Sequence, residues 1–143
     1  MSIEIKRLKS GDDGLVAEAS HLFDQLPRPD AIRRFFAEPT HHLFIAYSDR
    51  EPVGFVSGVE MTHPDKGTEM FLYELAVSED HRKRGIGTAL VTALRELAQE
   101  NGCYDMWVLT DDANEPALKT YRKSGSSESS AHVMLMWRLR DSR

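Results

Sequence analysis

Apolar and polar positions alternate along the chain with two different periods, which separates strands from helices. Ile3 and Ile5 alternate with polar neighbours, as in a half-buried strand. Apolar residues recur every three or four positions over 12–25 and again after Ile86, as on one face of a helix. In chain order, the predicted elements are a strand from Ile3, helices over 12–25 and 30–36, strands over 43–47, 53–61 and 70–77, a helix from Ile86 to the Asn101-Gly102 stop, a strand over 104–110, a helix capped by Asn114, and a strand over 133–139. This order predicts an α/β (α+β) fold, a mixed sheet with helices on both faces.

The predicted strand 70–77 is apolar on both faces except at Glu74. Such a strand belongs in the middle of a sheet that helices cover on both sides. Burial of a carboxylate is costly, so a buried glutamate is usually paired or functional. Loss of water would raise the pKa of Glu74 towards the range that is useful to a general base. Two interpretations follow: a catalytic or substrate-binding carboxylate, or a structural ion pair with a neighbouring Arg or Lys.

A basic loop with two glycines connects this strand to the next helix. It reads Arg82-Lys83-Arg84-Gly85-Ile86-Gly87-Thr88. Glycines let the backbone approach a ligand closely, and the N–H groups and dipole of a helix start attract an anion. The loop therefore predicts a pyrophosphate site, with an ordinary solvated basic turn as the alternative. The loop lacks the Gly-x-Gly-x-x-Gly pattern, which argues against a Rossmann dinucleotide site. It also lacks a Gly-Lys-Ser/Thr ending, which excludes a P-loop.

Composition and charge narrow the class of protein. The chain has 143 residues, 41% of them hydrophobic, which suits one domain over residues 1–143. A net charge of −5 argues against broad binding of nucleic acid or of an anionic membrane. The N-terminus has no signal-peptide core, and no apolar run is long enough to span a membrane.

A single cysteine, Cys103, allows no internal disulfide, and we expect a cytoplasmic protein in which this thiol is packed. The histidines show no metal-ligand spacing, so no metal site is expected.

Two motifs of the chain resemble those of the GNAT (Gcn5-related) N-acetyltransferases. One family signature is Arg/Gln-x-x-Gly-x-Gly/Ala after a strand, and the other is Asn-x-x-Ala followed by a tyrosine. The matching residues are Arg82, Gly85 and Gly87 in the first motif, and Asn114, Ala117 and Tyr121 in the second. The order of elements also matches, so the resemblance spans essentially the whole chain. Within the family, the stretch 71–82 and the dipeptide Pro116-Ala117 are most similar to the small aminoglycoside 3-N-acetyltransferases.

The resemblance implies a fold and a set of roles. The sheet is expected to be mostly antiparallel, with the parallel strands 70–77 and 104–110 splayed apart to form the acetyl-CoA cleft. Glu74 is then the candidate general base, and Tyr121 the candidate acid for the departing thiolate, with a packed core tyrosine as the alternative. The residues implied to bind acetyl-CoA (coenzyme A) are Leu75, Ala76, Val77, Arg82, Lys83, Arg84, Gly85, Ile86, Gly87, Thr88, Asn114, Ala117 and Tyr121.

The acceptor is expected to be a small cationic amine. Asp111, Asp112 and Glu115 form an acidic cluster near the expected acceptor entrance, and together with Glu74 they are the candidate substrate-binding residues. Acidic residues before a helix also favour its dipole, which is the structural alternative. We therefore expect an N-acetyltransferase that acts by direct transfer, with an aminoglycoside as the favoured acceptor. A peptide or protein N-acetyltransferase and a non-catalytic acyl-CoA-binding module are the two alternatives.

The last predicted strand, 133–139, is apolar on both faces. It must therefore be covered either by the body of the domain or by a second subunit. Dimers are common in the family that the chain resembles, so a homodimer is expected.

Overall fold

The computed structural model describes residues 2–140, which form a sheet with helices on both sides. The elements are β1 (Ile3–Arg7), α1 (Asp13–Glu18), α2 (Pro29–Ala37), β2 (His41–Ser48), β3 (Glu51–His63), β4 (Gly67–Val77), α3 (Ile86–Glu100), β5 (Met106–Val108) and α4 (Glu115–Lys123), with 3₁₀ turns at Ser20–Leu22 and Glu79–His81. The strands lie in the order β1-β2-β3-β4-β5. The first three pairings are antiparallel and the pairing of β4 with β5 is parallel, which confirms the predicted mixed, mostly antiparallel sheet.

The turn between β2 and β3 shows how local sequence sets the strand pairing. Asp49 and Arg50 both have positive φ, at 49° and 71°. Two consecutive residues of this kind match the right-handed twist of an antiparallel hairpin, and aspartate tolerates the left-handed region better than most residues. The turn ends at Glu51, where β3 already begins. The long hairpin that results brings β3 to the centre of the sheet.

Helix α3 covers one face of the sheet. Its residues Leu90 and Leu94 are fully buried, and they pack in one cluster with Phe44, Val56 and Leu72 of the central strands. The helical spacing of the apolar residues after Ile86 predicted this face, and the structure confirms it. Burial of each large aliphatic side chain contributes roughly 1.5–3 kcal/mol to folding, so this cluster accounts for a large part of the stability.

Helices α1 and α2 cover the opposite face. Val16 of α1 is buried with Leu43, Ile45 and Phe55, which point to this side of the sheet. Alternate residues of β2 thus serve the two clusters, as expected for a strand that is buried on both sides.

An extra residue interrupts the pairing of β3 with β4. Leu72 lies opposite Gly58 and Glu74 lies opposite Ser57, so Tyr73 has no partner in β3. Its side chain is 62% exposed. One unpaired residue is the mark of a β-bulge, which bends a strand and shifts the alternation of its side chains.

The bulge changes which side chains of β4 face α3. Met70 and Leu72 contribute to the α3 cluster before the bulge, and Leu75 and Val77 contribute to it afterwards. Glu74 alternates with the later pair, so it lies on the opposite face. Ala76 shares that face and packs against the α1–α2 cluster.

The predicted helix over 12–25 is wrong in its length. Helix α1 ends at Glu18, and the chain continues as a 3₁₀ turn at Ser20–Leu22. Phe23 then adopts an extended conformation and stacks on Phe55, with ring centroids 4.3 Å apart. Packing of this aromatic ring onto the sheet therefore outweighs the helical spacing of the local sequence.

Two predicted strands also differ from the structure. The strand predicted over 104–110 pairs with β4 only over Met106–Val108. Leu72 of β4 lies opposite Val108, and the bulge in β4 begins at the next residue.

The strand predicted over 133–139 is not present in the structure. Residues 126–140 carry no regular secondary structure, and the large apolar side chains of 133–139 are exposed. An apolar pattern predicts a strand, but a strand forms only where a neighbouring backbone pairs with it.

Candidate active site

The loop after β4 brings the start of α3 to the end of that strand. The Ser78 amide donates to the Val53 carbonyl at 2.8 Å, which fixes the loop to β3. The Arg82 Nε donates to the Val77 carbonyl at 3.3 Å, which folds the loop back on β4. Lys83 and Gly85 both have positive φ, at 65° and 80°. Gly85 is the N-cap of α3, and its left-handed conformation is one that glycine adopts without steric cost.

The N-terminus of α3 is built to receive an anion. The Ala89 amide donates to the Gly85 carbonyl at 3.0 Å, which is the first hydrogen bond of the helix. The backbone amides of residues 86–88 therefore have no acceptor within the helix. They point outwards together with the positive end of the helix dipole. Arg82, Lys83 and Arg84 are exposed beside them. Backbone donors and basic side chains at one point fit a pyrophosphate group.

Gly87 lies where α3 approaches α4. In the structure, a Cβ on Gly87 would lie 3.2 Å from Thr120 Cγ2 and 3.7 Å from Val77 Cγ2. Gly87 therefore allows α3 to lie close to α4. At Gly85 a Cβ would meet open space, and there the positive φ is the reason for glycine.

Strands β4 and β5 separate next to this loop. Their pairing ends at Leu72 opposite Val108, whereas β4 continues for five residues to Val77. After Leu72, the backbone N–H and C=O groups of β4 that point towards β5 are therefore not paired with it. This opening between two parallel strands is the cleft that the sequence predicted, and Leu75, Ala76 and Val77 form one of its edges.

Glu74 lies at the opening, on the face of the sheet away from α3. Burial raises the pKa of the Glu74 carboxyl, and the nearby Asp24 carboxylate raises it further. Among residues 2–140, no Arg, Lys or His forms an ion pair with Glu74. The structural ion pair that the sequence left open is therefore not found. A carboxyl whose pKa is raised by burial and by a second negative charge suits proton transfer or recognition of a cation.

Asp24 is the site residue that sequence reasoning missed. Phe23 stacks on Phe55, and Phe55 lies opposite Ala76 in the β3–β4 ladder. This stack fixes the chain just before Asp24 on the same face of the sheet as Glu74. No local signal could have found Asp24, since it is 50 positions from Glu74 and its charge acts on Glu74 only in the folded chain.

Tyr121 lies on the other side of β4. It is half-buried on α4 and packs against the α3 cluster, to which Leu75 and Val77 belong. Burial raises the pKa of the Tyr121 hydroxyl, so this group stays protonated at neutral pH. The Asn114 side chain accepts a hydrogen bond from the Ala117 amide at 3.2 Å, which confirms Asn114 as the cap of α4.

The acidic cluster predicted near the acceptor entrance is exposed. Asp111 Oδ1 accepts a hydrogen bond from the Ala113 amide at 2.9 Å, and Glu115 lies in the first turn of α4. Asp112 is also exposed. These contacts are those of a helix start, and the carboxylate that perturbs Glu74 is Asp24.

Cys103 has the surroundings of a packed thiol. Cys103 is half-buried, and burial, followed by the charge of Glu60, raises the pKa of its thiol, as expected for a packed cysteine. Residues 2–140 contain no group of three or more His, Cys, Asp or Glu side chains placed to hold a metal ion. Within the same range, no helix combines the length and apolar character needed to cross a membrane.

Comparison with known proteins places these features in a family. The model of the acetyltransferase (GNAT) family matches residues 13–125. "N-acetyltransferase 8F1" of Rattus norvegicus is 30% identical over 98 residues, which are 67% of this chain and 44% of that protein. "Thialysine N-epsilon-acetyltransferase" of Bos taurus is 26% identical over 144 residues, covering 88% of this chain and 85% of that protein. The chain spans about half the length, or less, of the rat N-acetyltransferases that it matches.

Solved structures share the fold over nearly the whole chain. A crystal structure of an aminoglycoside acetyltransferase from an uncultured soil metagenomic sample has a TM-score of 0.88 at 21% identity, covering 96% of this chain and 97% of that one. The structure of AAC(6′)-Iy with a bisubstrate analogue of CoA has a TM-score of 0.80 at 20% identity, covering 96% of this chain and 99% of that one.

Proposed function

The chain belongs to the GNAT family of acetyltransferases, and from this premise we propose that it transfers the acetyl group of acetyl-CoA directly to a primary amine of a small cationic acceptor. The observation that carries the proposal is the environment of Glu74. Burial and the charge of Asp24 raise the pKa of its half-buried carboxyl, and no basic side chain within residues 2–140 is paired with it. Such a pair of carboxyls is suited to a positive charge that comes from outside the chain.

The two candidate proton-transfer groups lie on opposite faces of β4. On the face of Glu74, the carboxylate would accept a proton from the acceptor ammonium, and the freed amine nitrogen would then bond to the acetyl carbon. The nitrogen would lose its second proton to water as the adduct collapses to the amide. On the face of Tyr121, the phenol donates its proton to the sulfur when the carbon–sulfur bond breaks. Because the opening between β4 and β5 connects the two faces, one acetyl group held there is accessible to both residues.

Acetyl-CoA supplies the activated acetyl group, and the residues around the opening fit its parts. The amides at the start of α3, with Arg82, Lys83 and Arg84, suit the pyrophosphate. The backbone of Leu75, Ala76 and Val77 suits the pantetheine arm, and an amide at this edge suits the oxyanion. We include Asn114, Ala117 and Tyr121 on α4 as the opposite wall.

For the acceptor, we propose an aminoglycoside. Two observations support this choice: the soil protein named above is called an aminoglycoside acetyltransferase, and the bovine relative is named for an amine, thialysine. Asp24 and Glu74 would contact the reacting amine, while the exposed Asp111, Asp112 and Glu115 would attract the cation from solution. The sequence resemblance favours the 3-amino group, whereas the name AAC(6′)-Iy denotes the 6′ position. We place the reaction in the cytoplasm.

A thiol-release assay with acetyl-CoA tests the proposal against a panel of aminoglycosides, polyamines and peptides. We expect turnover with polycationic amines, and a KM that rises as salt shortens the screening length from about 10 Å at 0.1 M to about 3 Å at 1 M. NMR of the product then identifies the acetylated nitrogen. Turnover only with neutral or acidic peptides would assign a peptide N-acetyltransferase. Tight binding of CoA without turnover on any amine would assign a non-catalytic acyl-CoA-binding module.

A further inference from the structure

Three aromatic side chains, Phe71, Tyr73 and Trp107, lie together on β4 and β5, and we call them the aromatic platform. The ring centroids of Phe71 and Trp107 are 4.4 Å apart, and the Tyr73 ring meets Phe71 edge-on at 5.9 Å. Met70 and Leu72 belong to the α3 cluster, so Phe71 between them points to the opposite face. Among residues 2–140, the α1–α2 cluster does not include the three rings. Trp107 is 37% and Tyr73 62% exposed, so aromatic surface is accessible to a ligand.

The platform begins next to Glu74. Phe71 lies opposite Val59, and Glu74 lies opposite Ser57. Ser57 and Val59 are two positions apart on β3, so they are neighbours on one face, about 7 Å apart along the strand. The bulge at Tyr73 gives Phe71 and Glu74 the same spacing, although they are three positions apart in the sequence. A molecule whose amine lies at Glu74 therefore has the group that carries this amine next to the platform.

Glu69 holds the indole of Trp107 in place. The Tyr104 hydroxyl donates to Glu69 Oε2 at 2.6 Å. This hydrogen bond, with a further one from the Trp107 side chain, outweighs burial and lowers the pKa of Glu69, so the carboxylate stays ionised at neutral pH. The indole N–H is the one donor of a tryptophan side chain, so Trp107 is fixed through this N–H and through its stack on Phe71. A ring that is fixed before binding loses less entropy when a ligand covers it.

The combination of rings and carboxyl groups favours one kind of cation. The face of an aromatic ring attracts positive charge, and the C–H groups of another ring cover its apolar area well. Glu74 has no basic partner among residues 2–140 and feels the charge of Asp24, so this end suits an ammonium group. A linear polyamine supplies ammonium groups but no ring, whereas an amino sugar supplies an ammonium joined directly to a ring. The amino sugar therefore matches both Glu74 and the platform.

We propose that the aromatic platform binds the amino-sugar ring of the acceptor, while the amine attached to this ring lies at Glu74. Phe71, Tyr73 and Trp107 are then specificity-determining residues, which favour an amino sugar over a linear polyamine of equal charge. Glu69 is a positioning residue, because it acts through Trp107. The inference rests on the proposed acetyl transfer for its kinetic effects, whereas binding to the platform is measurable without turnover.

Thiol-release kinetics with neamine and spermine test the platform. The two amines carry the same number of amino groups, and neamine alone contains rings. Trp107→Leu and Tyr73→Leu keep an apolar side chain but remove an aromatic face. We expect each variant to raise the KM for neamine by about twofold to thirtyfold, the range of a cation–π contact, and to leave kcat and the KM for spermine nearly unchanged. The control Trp137→Leu, at an exposed tryptophan outside the platform, should change neither KM.

Two changes at Glu69 test its positioning role. Glu69→Ala should raise the KM for neamine and leave that for spermine in place, because the indole loses its acceptor. Glu69→Gln should restore the KM for neamine, since the amide oxygen still accepts from the indole N–H. A KM for neamine that Glu69→Ala leaves unchanged would contradict the role. An equal rise of both KM values without rescue by glutamine would show that Glu69 is merely structural.

Fluorescence separates binding from chemistry, because Trp137→Leu leaves Trp107 as the single tryptophan. We expect neamine, added with CoA, to change the emission of Trp107 in a saturable way that Tyr73→Leu weakens, and spermine to leave the emission nearly unchanged. Such a titration without turnover would contradict acetyl transfer and support the platform. Turnover of neamine with equal KM values in wild type and in both leucine variants would overturn the platform and support acetyl transfer. An emission that neither amine changes would also overturn it, and would assign the rings to contact with another protein.

Discussion

Asp24 and Glu74 are 50 positions apart in the sequence, yet the charge of one raises the pKa of the other. Burial is the larger cause of the raised pKa of Glu74, and Asp24 is the second. The stack of Phe23 on Phe55 places the residue before Asp24 on the α1–α2 face of the sheet, the face on which Glu74 lies. The proposed proton acceptor is thus tuned by a residue from the N-terminal part of the chain.

We expect Asp24→Asn to shift the acidic limb of the kcat/KM profile to lower pH. Removal of a neighbouring negative charge lowers the pKa of Glu74, so its basic form persists in more acidic solution. The KM for a cationic acceptor should rise as well, because one of the two carboxylates that bind it is lost. The pH dependence of the thiol-release rate measures both effects. Asp65→Asn, in the exposed turn between β3 and β4, removes the same charge elsewhere and should leave the limb in place.

We expect Glu74→Gln to lower kcat by about 10²–10⁴-fold, the usual contribution of a general base. The affinity for CoA, measured by calorimetry, should hardly change, because the side chain faces the acceptor. A turnover within about threefold of wild type would remove Glu74 from the mechanism.

The same variant has a readout that is independent of activity. Since the pKa of Glu74 is raised in the folded chain, its ionised form destabilises the fold at pH values above that pKa. Glutamine resembles the protonated form, so Glu74→Gln should raise the melting temperature at pH 7. At a pH below the pKa of the unfolded chain, near 4, the two proteins should melt together. A lower melting temperature of the variant at pH 7 would indicate a structural role for the carboxylate.

We expect Tyr121→Phe to slow turnover by about tenfold or more, because the departing thiolate loses its proton donor. The raised pKa of Tyr121 keeps the hydroxyl protonated. Deprotonation of Tyr121 should therefore lower the wild-type activity only at strongly alkaline pH. The ring still packs on the α3 cluster in the variant, so the melting temperature serves as the control for folding. An unchanged rate would mean that solvent protonates the thiolate.

We expect Gly87→Ala to destabilise the fold by roughly 1–3 kcal/mol through overpacking of α3 against α4. The new Cβ would lie 3.2 Å from Thr120 Cγ2. Thr120→Ser removes this methyl group, so the double variant should regain much of the stability in urea denaturation. Gly85→Ala, where no atom lies within 4 Å, provides the comparison, since Thr120→Ser should not rescue it. Equal losses of stability in the single and double Gly87 variants would contradict the packing role.

The sequence predicted those parts of the site that depend on local patterns. Glu74 is conspicuous as the one charge in an apolar strand, and the loop 82–88 and the cap Asn114 lie where helix-start rules place them. The effect of Asp24 on Glu74 could not be predicted because it arises only in the folded chain, and the packing of Gly87 against Thr120 could not be predicted because Thr120 lies on another helix. The strand predicted over 133–139 is wrong, because an apolar pattern alone does not supply the neighbouring backbone that a strand must pair with.

Tyr73 is the extra residue in the alternation of β4. With Tyr73 regularly paired, the residue two positions after Leu72 would share the direction of Leu72, and the bulge prevents this for Glu74. If Tyr73 were deleted, Glu74 would follow Leu72 directly and would still lie opposite Ser57, on the face away from α3. Deletion of Tyr73 should therefore leave the proposed base on its present face, whereas straightening of the bulge with Tyr73 in place would turn Glu74 towards α3.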